Sequence, residues 1–143
     1  MKTMRKFIEG IKSDNRGLSE TIAIVYSLLI FMVFAVLYVD LYGYFYTKNN
    51  LKQAVDETII LMKADNGYDD TVTRQYFDNI VLKLGLDTTK ITLSGTPKIV
   101  QRGELMELKA STAYEVKGLR PFNHNITLNI IVHSEGLAHA KVR

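Results

Sequence analysis

The feature that most constrains this chain is a block of nineteen uncharged residues, 21–39, with the sequence TIAIVYSLLIFMVFAVLYV. A helix rises about 1.5 Å per residue, so this block spans roughly 28 Å, close to the hydrocarbon thickness of a bilayer. The alternative is a buried helix of a soluble protein, but such helices usually carry polar residues along one face. The block has almost none, and we predict a single membrane span at residues 21–39.

The net positive charge of the chain lies before this block. Residues 1–17 hold five basic and two acidic side chains, whereas the rest of the chain holds thirteen of each. Basic residues that flank a membrane helix stay in the cytoplasm. We therefore predict a cytoplasmic leader at residues 1–17 and an extracytoplasmic C-terminal domain. Because that domain has no basic excess, we expect no nucleic-acid partner.

The helical pattern continues beyond the uncharged block. Apolar residues recur every three or four positions, at Leu51, Val55, Ile59 and Met62. This spacing predicts an amphipathic helix, so we expect one helix over residues 18–64, stopped by Gly67. In this division, residues 18–66 form the long helical segment and residues 67–143 form a headgroup.

A second, shorter helix is predicted over residues 71–84. Asp69 or Asp70 can cap its start, and Gly85 can end it. Its predicted apolar face consists of Tyr76, Phe77, Ile80, Val81 and Leu84.

The remainder of the chain predicts strands. Apolar and polar residues alternate with a period of two in the longest runs, and turn residues separate the runs. The predicted strands are residues 91–94, 98–101, 105–116 and 126–133. We predict an α+β fold with three parts: a long N-terminal helix (transmembrane, then amphipathic), a second short helix, and a small antiparallel β-meander of three to four strands. The two helices would cover the apolar face of the meander.

Residue types that carry chemistry are sparse. The chain has no cysteine, which excludes disulfides and thiol catalysis. Its three histidines, His124, His133 and His139, fit no common metal-ligand spacing, and no phosphate-binding loop or hydrolase motif occurs. We expect no enzyme activity, catalytic residue, metal, cofactor or small-molecule substrate.

Candidate functional residues flank the predicted span. Four tyrosines cluster at its outer end, namely Tyr38, Tyr42, Tyr44 and Tyr46. Their rings can lie in the lipid headgroup layer or pack between subunits. At the inner end, Glu20 either favours the helix dipole from the headgroup region or acts as an assembly charge. In the second case, cleavage after Gly17 frees the α-amine of Leu18, which pairs with Glu20 of a neighbouring copy. Both interpretations stand.

These features resemble the type IV pilin superfamily, and the TadE-like minor pilins and pseudopilins in particular. The resemblance covers about residues 15–60. It rests on Arg16-Gly17 before Glu20, the uncharged helix, the run DLYGYFY at residues 40–46 and the run LKQAVDE at residues 51–57. Two features differ from the family pattern. Glu20 would be the third residue of the mature chain rather than the fifth, and the helix lacks the usual proline.

The resemblance implies a structural subunit of a type IV-like pilus that serves tight adherence, secretion or conjugation. A prepilin peptidase would cut between Gly17 and Leu18, and Glu20 would set the register of assembly. The expected partners are the lipid bilayer, the peptidase and other pilin subunits. The alternative is an uncleaved single-pass anchor that carries an accessory or adhesion module of a secretion system.

Overall fold

The computed structural model of the chain describes residues 2–118, 120 and 125–139, with the backbone alone for residues 2–16 and Leu18. His124 lies outside the described residues. The described elements are α1 (Lys2–Asp65), α2 (Val72–Lys83), a 3-10 turn (Thr88–Lys90), β1 (Ile91–Gly95), β2 (Leu105–Glu115) and β3 (Thr127–Leu137). This confirms the predicted α+β class, and the arrangement is consistent with a pilin-like fold. The chain divides into two compact units, residues 1–39 and residues 40–143.

Helix α1 begins at Lys2 and not near Leu18 as predicted. The leader contains no proline and is rich in good helix formers, and extending an existing helix requires no new nucleation. The helix ends at Asp65 because Asn66 and Gly67 adopt positive φ angles of 59° and 132°. The amide of Gly67 donates to the carbonyl of Met62 at 3.1 Å, which confirms the predicted stop.

Helix α2 lies within one residue of its predicted bounds at each end. One carboxylate oxygen of Asp69 accepts hydrogen bonds from the amides of Thr71 (2.8 Å) and Val72 (3.0 Å), so Asp69 is the cap. Phe77, Ile80 and Val81 are buried as predicted.

The apolar face predicted for α2 was wrong at one position. Tyr76 is exposed, whereas Thr73 is fully buried. Thr73 lies one turn before Phe77, so the buried stripe of the helix runs through Thr73 rather than Tyr76.

The sheet has three antiparallel strands in the order β1-β2-β3. Strands β1 and β2 match their predicted bounds to within one residue. Strand β3 runs four residues further than predicted, because its polar end, residues 134–137, pairs with residues 105–108 of β2.

The strand predicted over residues 98–101 is absent from the described sheet. The amides of Ile99 and Val100 both donate to the carbonyl of Asn66 at 3.1 Å. Ile99 has a φ of 83°, which is incompatible with a regular strand. The segment therefore bonds to the chain just beyond the end of α1 instead of to a neighbouring strand.

The core lies between the sheet and the two helices. Helix α1 contributes the predicted stripe of Leu51, Val55, Ile59 and Met62, and α2 contributes Phe77, Ile80 and Val81. The sheet contributes Ile91, Leu108, Ala110, Ile130 and Val132. The prediction that both helices cover the apolar face of the sheet is confirmed.

Candidate functional site

The apolar part of α1 has no partner within the described chain. Every residue from 21 to 39 is exposed, and the large apolar side chains among them expose between 37% and 73% of their surface. By length and composition, one helix of the described chain is able to cross a membrane, and the exposed block lies in it. Such an apolar surface is unfavourable in water, so its natural environment is lipid or other helices.

The predicted cleavage and assembly residues lie on the same helix. Gly17 and Glu20 are exposed, and a Cβ atom added at Gly17 would meet no atom within 4 Å. The hydroxyl of Thr21 donates to the carbonyl oxygen of Gly17 at 2.8 Å. That carbonyl belongs to the Gly17–Leu18 peptide bond, so the predicted scissile bond is helical and already carries a side-chain hydrogen bond. The side chain of Leu18 lies outside the described residues.

The four predicted interface tyrosines fall into two groups. Tyr38, Tyr42 and Tyr46 are exposed, and the rings of Tyr42 and Tyr46 stack with centroids 6.3 Å apart. Tyr44 is half-buried, and its ring meets that of Tyr114 edge to face at 5.9 Å. Tyr44 therefore packs against the sheet, while the other three keep free surfaces on the helix.

A buried carboxylate directly follows the apolar block. Asp40 is only 8% exposed, although it comes immediately after the exposed run of residues 21–39. Its two carboxylate oxygens accept hydrogen bonds from the amides of Lys117 (2.9 Å) and Gly118 (2.8 Å). Its backbone carbonyl accepts one from the Tyr114 hydroxyl at 3.2 Å. Hydrogen bonds from amides to a carboxylate are charge-assisted and stronger than neutral ones. They tie the end of the sheet to this point of α1.

Gly43 lets Tyr114 approach the helix. A Cβ atom at position 43 would overlap the Tyr114 hydroxyl. Burial raises the pKa of Tyr114 above its ordinary value, and the Asp40 carboxylate adds to the shift, so the hydroxyl stays protonated and donates. Asp40, Gly43, Tyr114, Lys117 and Gly118 together form what we call the Asp40 junction.

Sequence reasoning missed this junction. From the sequence we used Asp40 and Gly43 only as part of the run at residues 40–46 and gave neither residue a packing role. The available signal is local: a carboxylate directly after an apolar block, then a glycine three residues later on the same helical face. The partners of Asp40 lie more than seventy residues away in the chain, and no local pattern identifies them.

One cleft of the described headgroup lies between its two helices. The exposed Tyr76 lines an open cleft of about 370 Å³ between α1 and α2, together with Gln53, Glu57 and Lys83. Among the residues that the structure describes, no three His, Cys, Asp or Glu side chains are grouped so that they can hold a metal ion.

A family profile described as Domain of unknown function (DUF4320) matches residues 27–141, which is most of the chain. The chain belongs to the DUF4320 family. No curated protein and no solved structure was found to match it. The region shared with the DUF4320 profile contains the outer part of the apolar helix, the Asp40 junction and all three strands. Gly17, Leu18 and Glu20 lie before it, so family membership and the predicted cleavage rest on separate parts of the chain.

Proposed function

We propose that this protein is a TadE-like minor pilin or pseudopilin, a structural subunit that assembles through its N-terminal helix. The observation that supports this most directly is the contrast within α1. Residues 21–39 expose an apolar surface all round, while the headgroup closes its own core around residues 51–62. A headgroup whose core is closed without residues 21–39 leaves that segment free to pack on lipid first and on sister helices later.

The proposed topology follows from charge. The basic leader stays in the cytoplasm, the span crosses at residues 21–39, and the headgroup is extracytoplasmic. A prepilin peptidase then removes residues 1–17 on the cytoplasmic side. The mature chain begins at Leu18 and passes from the bilayer into a pilus or its base.

Glu20 provides the register of assembly in this proposal. Its carboxylate lies at the start of the apolar block, where burial without a partner is costly. In a bundle of mature chains, the α-amine of Leu18 from one copy pairs with Glu20 of the next. A subunit in the wrong register leaves both charges unpaired in a low dielectric, which disfavours that register strongly.

A second candidate function is a permanently anchored accessory or adhesion module. The continuous helix favours it, because α1 runs without a break from Lys2 through Gly17. The hydrogen bond from Thr21 to Gly17 further stabilises the helix at the predicted scissile bond.

Mass spectrometry of the protein from its native membranes separates the two candidates. A chain that starts at Leu18 supports the pilin proposal, and an intact leader supports the uncleaved anchor. Gly17→Leu blocks cleavage in the first case, and Gly10→Leu is the matched control, because it changes a leader glycine away from the predicted scissile bond. Equal processing of both variants would contradict a cut at Gly17.

The role of Glu20 has its own test. Glu20→Ala is expected to leave membrane insertion intact and to lower the recovery of the subunit in sheared surface filaments severalfold. Glu9→Ala is the control, because it removes a carboxylate from the leader that the mature chain would lack. Unchanged recovery for Glu20→Ala would exclude the proposed register charge.

A further inference from the structure

The Asp40 junction places one end of the sheet beside the point where α1 leaves the apolar block. Asp40 is the residue that follows Val39 in the chain, and a helix advances only about 1.5 Å per residue. The amides of Lys117 and Gly118 lie within hydrogen-bonding distance of its carboxylate. If residues 21–39 lie in a bilayer, Asp40 is the first residue beyond that segment, and this end of the sheet is hydrogen-bonded to Asp40.

Two apolar side chains are exposed at this end. Leu128 pairs with Tyr114 across β2 and β3, and the carbonyl of Ile126 accepts a hydrogen bond from the amide of Val116 at 2.9 Å. Both strand ends are therefore fixed next to the residue whose hydroxyl bonds to Asp40. Leu128 is 43% exposed and Ile126 is 45% exposed. Neither contributes to the buried core.

Two cationic side chains accompany them. Lys117 is exposed, and its amide is held by Asp40. The amide of Arg120 donates to the carbonyl of Lys117 at 3.2 Å, and the Arg120 guanidinium pairs with Glu115 while about half of the side chain stays exposed. We call Lys117, Arg120, Ile126 and Leu128 the proximal rim.

We propose that the proximal rim lies in the headgroup layer of the bilayer that anchors the helix. Ile126 and Leu128 enter the boundary of the acyl chains, and Lys117 and Arg120 contact lipid phosphates. The inference rests on the proposed membrane span. Lipid is the occupant because the rim is bonded to Asp40, one residue beyond the apolar block. Exposed Tyr42 and Tyr46, on the next turns of α1, suit the same layer.

The experiment uses the full-length chain in vesicles, with one environment-sensitive fluorophore at a time. The chain has no cysteine, so a single introduced cysteine is labelled uniquely. The rim position is Ile126→Cys. The control is Ile99→Cys, because Ile99 is 78% exposed and its amide bonds to Asn66, beyond the far end of α1. Phe31→Cys reports insertion of the helix itself. The vesicles contain phosphatidylcholine with a spin-labelled fraction that quenches nearby probes.

The expected result is strong lipid quenching at position 31, clear quenching at position 126 and none above background at position 99. Equal quenching at positions 126 and 99, with position 31 quenched, would overturn the rim proposal and leave the anchor intact. A probe at position 126 that is shielded but unquenched, and that depends on protein density, would show contact with a second copy and would also overturn it. No quenching at position 31 would refute the membrane span on which both proposals rest.

A separate experiment tests the proposed contacts of Lys117 and Arg120 with lipid phosphates. In vesicles that also contain phosphatidylglycerol, Lys117→Gln combined with Arg120→Gln is expected to lower quenching at position 126 by roughly two- to fivefold, since both cations are attracted to an anionic surface. Lys109→Gln, an exposed cation in the middle of β2, is the matched control. In phosphatidylcholine alone the loss should be smaller, because that headgroup also carries a phosphate but has no net charge. A rim variant indistinguishable from the control in anionic vesicles would remove Lys117 and Arg120 from the proposal.

Discussion

Two segments of α1, residues 21–39 and residues 51–62, belong to one helix but have different surfaces. From 21 to 39 every residue is exposed, whichever side of the helix it lies on. From Leu51 to Met62 one stripe is buried against the sheet, while the opposite face carries the exposed Gln53 and Ile60. The change occurs at Asp40, which is buried and hydrogen-bonded to the end of the sheet.

This difference shows that a helix is specified by two separate properties. Its backbone hydrogen bonds are satisfied locally along the whole length, so continuity needs no tertiary partner. Its environment is set by the side chains: a stripe of apolar residues calls for one covering surface, and an all-round apolar surface calls for lipid or a bundle. The headgroup covers the apolar stripe of residues 51–62 by itself. The all-round apolar surface of residues 21–39 has no cover within the described chain, so it needs lipid or a bundle of helices.

The largest expected effect is on the free energy of headgroup unfolding, and it comes from replacing phenylalanine by alanine in one unit but not in the other. Phe77→Ala removes a fully buried side chain of α2 and is expected to destabilise the headgroup by about 3–5 kcal/mol. Phe31→Ala removes an exposed side chain in the apolar block and should leave headgroup unfolding unchanged. Denaturant titration of the full-length chain in mild detergent, monitored by tyrosine fluorescence, measures both. A comparable loss from Phe31→Ala would mean that the apolar helix supports the headgroup core.

An arginine placed in the apolar block or in the amphipathic part of α1 gives the next largest difference, which is a difference in membrane insertion. Leu29→Arg lies at the centre of the apolar block and should cost about 2.5–3.5 kcal/mol of membrane insertion. Ile60→Arg lies on the exposed face of α1 opposite the buried stripe and should change membrane insertion hardly at all. The inserted fraction of each newly made chain in microsomes is the readout. If Leu29→Arg inserted as well as the wild type, the apolar block would not be a membrane span.

Two glycines on α1 sharpen the comparison at the level of one methyl group. Gly43→Ala brings a Cβ atom against the Tyr114 hydroxyl and should destabilise the headgroup by about 1–3 kcal/mol. Gly17→Ala meets no neighbour and should strengthen the helix locally by up to about 1 kcal/mol. Hydrogen exchange at the amides of Lys117 and Gly118 reports the first change. Unaltered protection in Gly43→Ala would show that Tyr114 adjusts without loosening the Asp40 junction.

The smallest expected effect concerns pH and is confined to the headgroup. The Lys98 ammonium at 2.6 Å and the amides of Val72 and Thr71 hold the pKa of Asp69 well below its usual value of 3.8. A depressed folded-state pKa gives stability that is fully present above the unfolded value and is lost as the pH falls through the folded value.

Asp69→Asn should therefore flatten the fall in headgroup stability below about pH 4. Asp70→Asn is the adjacent control, because Asp69 makes both hydrogen bonds to the start of α2. Unfolding midpoints between pH 2 and pH 7 check this, where the ordinary carboxylate pKa values lie near 4. Membrane insertion should be the same in Asp69→Asn as in the wild type over this pH range, since residues 21–39 carry no charge. If the acid dependence were unchanged in Asp69→Asn, the Asp69 carboxylate would not stabilise the headgroup as we propose.

Patterns with a regular period were predictable from the sequence. The stripe of α1 and the alternation in β2 appear in the structure at the predicted residues, because burial of one face imposes the period directly. Predictions failed where a long-range contact overrides local preference. Residues 98–101 look like a strand, yet their amides bond to Asn66, and Ile99 takes a positive φ.

The candidate site was predictable in one part only. Composition identified the apolar block, and three of the four tyrosines predicted at its outer end are exposed on the helix. The burial of Asp40 was not predictable, because its partners lie on a loop after β2 and their amides carry no residue-type signal. The packing of Tyr44 on Tyr114 was missed for the same reason, since it requires the register of the sheet against α1.

Cysteine accessibility along α1, in native membranes, tests the central claim most directly. Single cysteines at positions 22–38 and 51–62 are treated with a water-soluble maleimide. We predict that the first set is uniformly unreactive on every face of the helix. The second set should react with a period of three to four, with Leu51, Val55 and Met62 protected and Ile60 reactive. Reactivity that rises and falls with the helical period within positions 22–38 would contradict the claim that this segment of α1 lies wholly in an apolar environment.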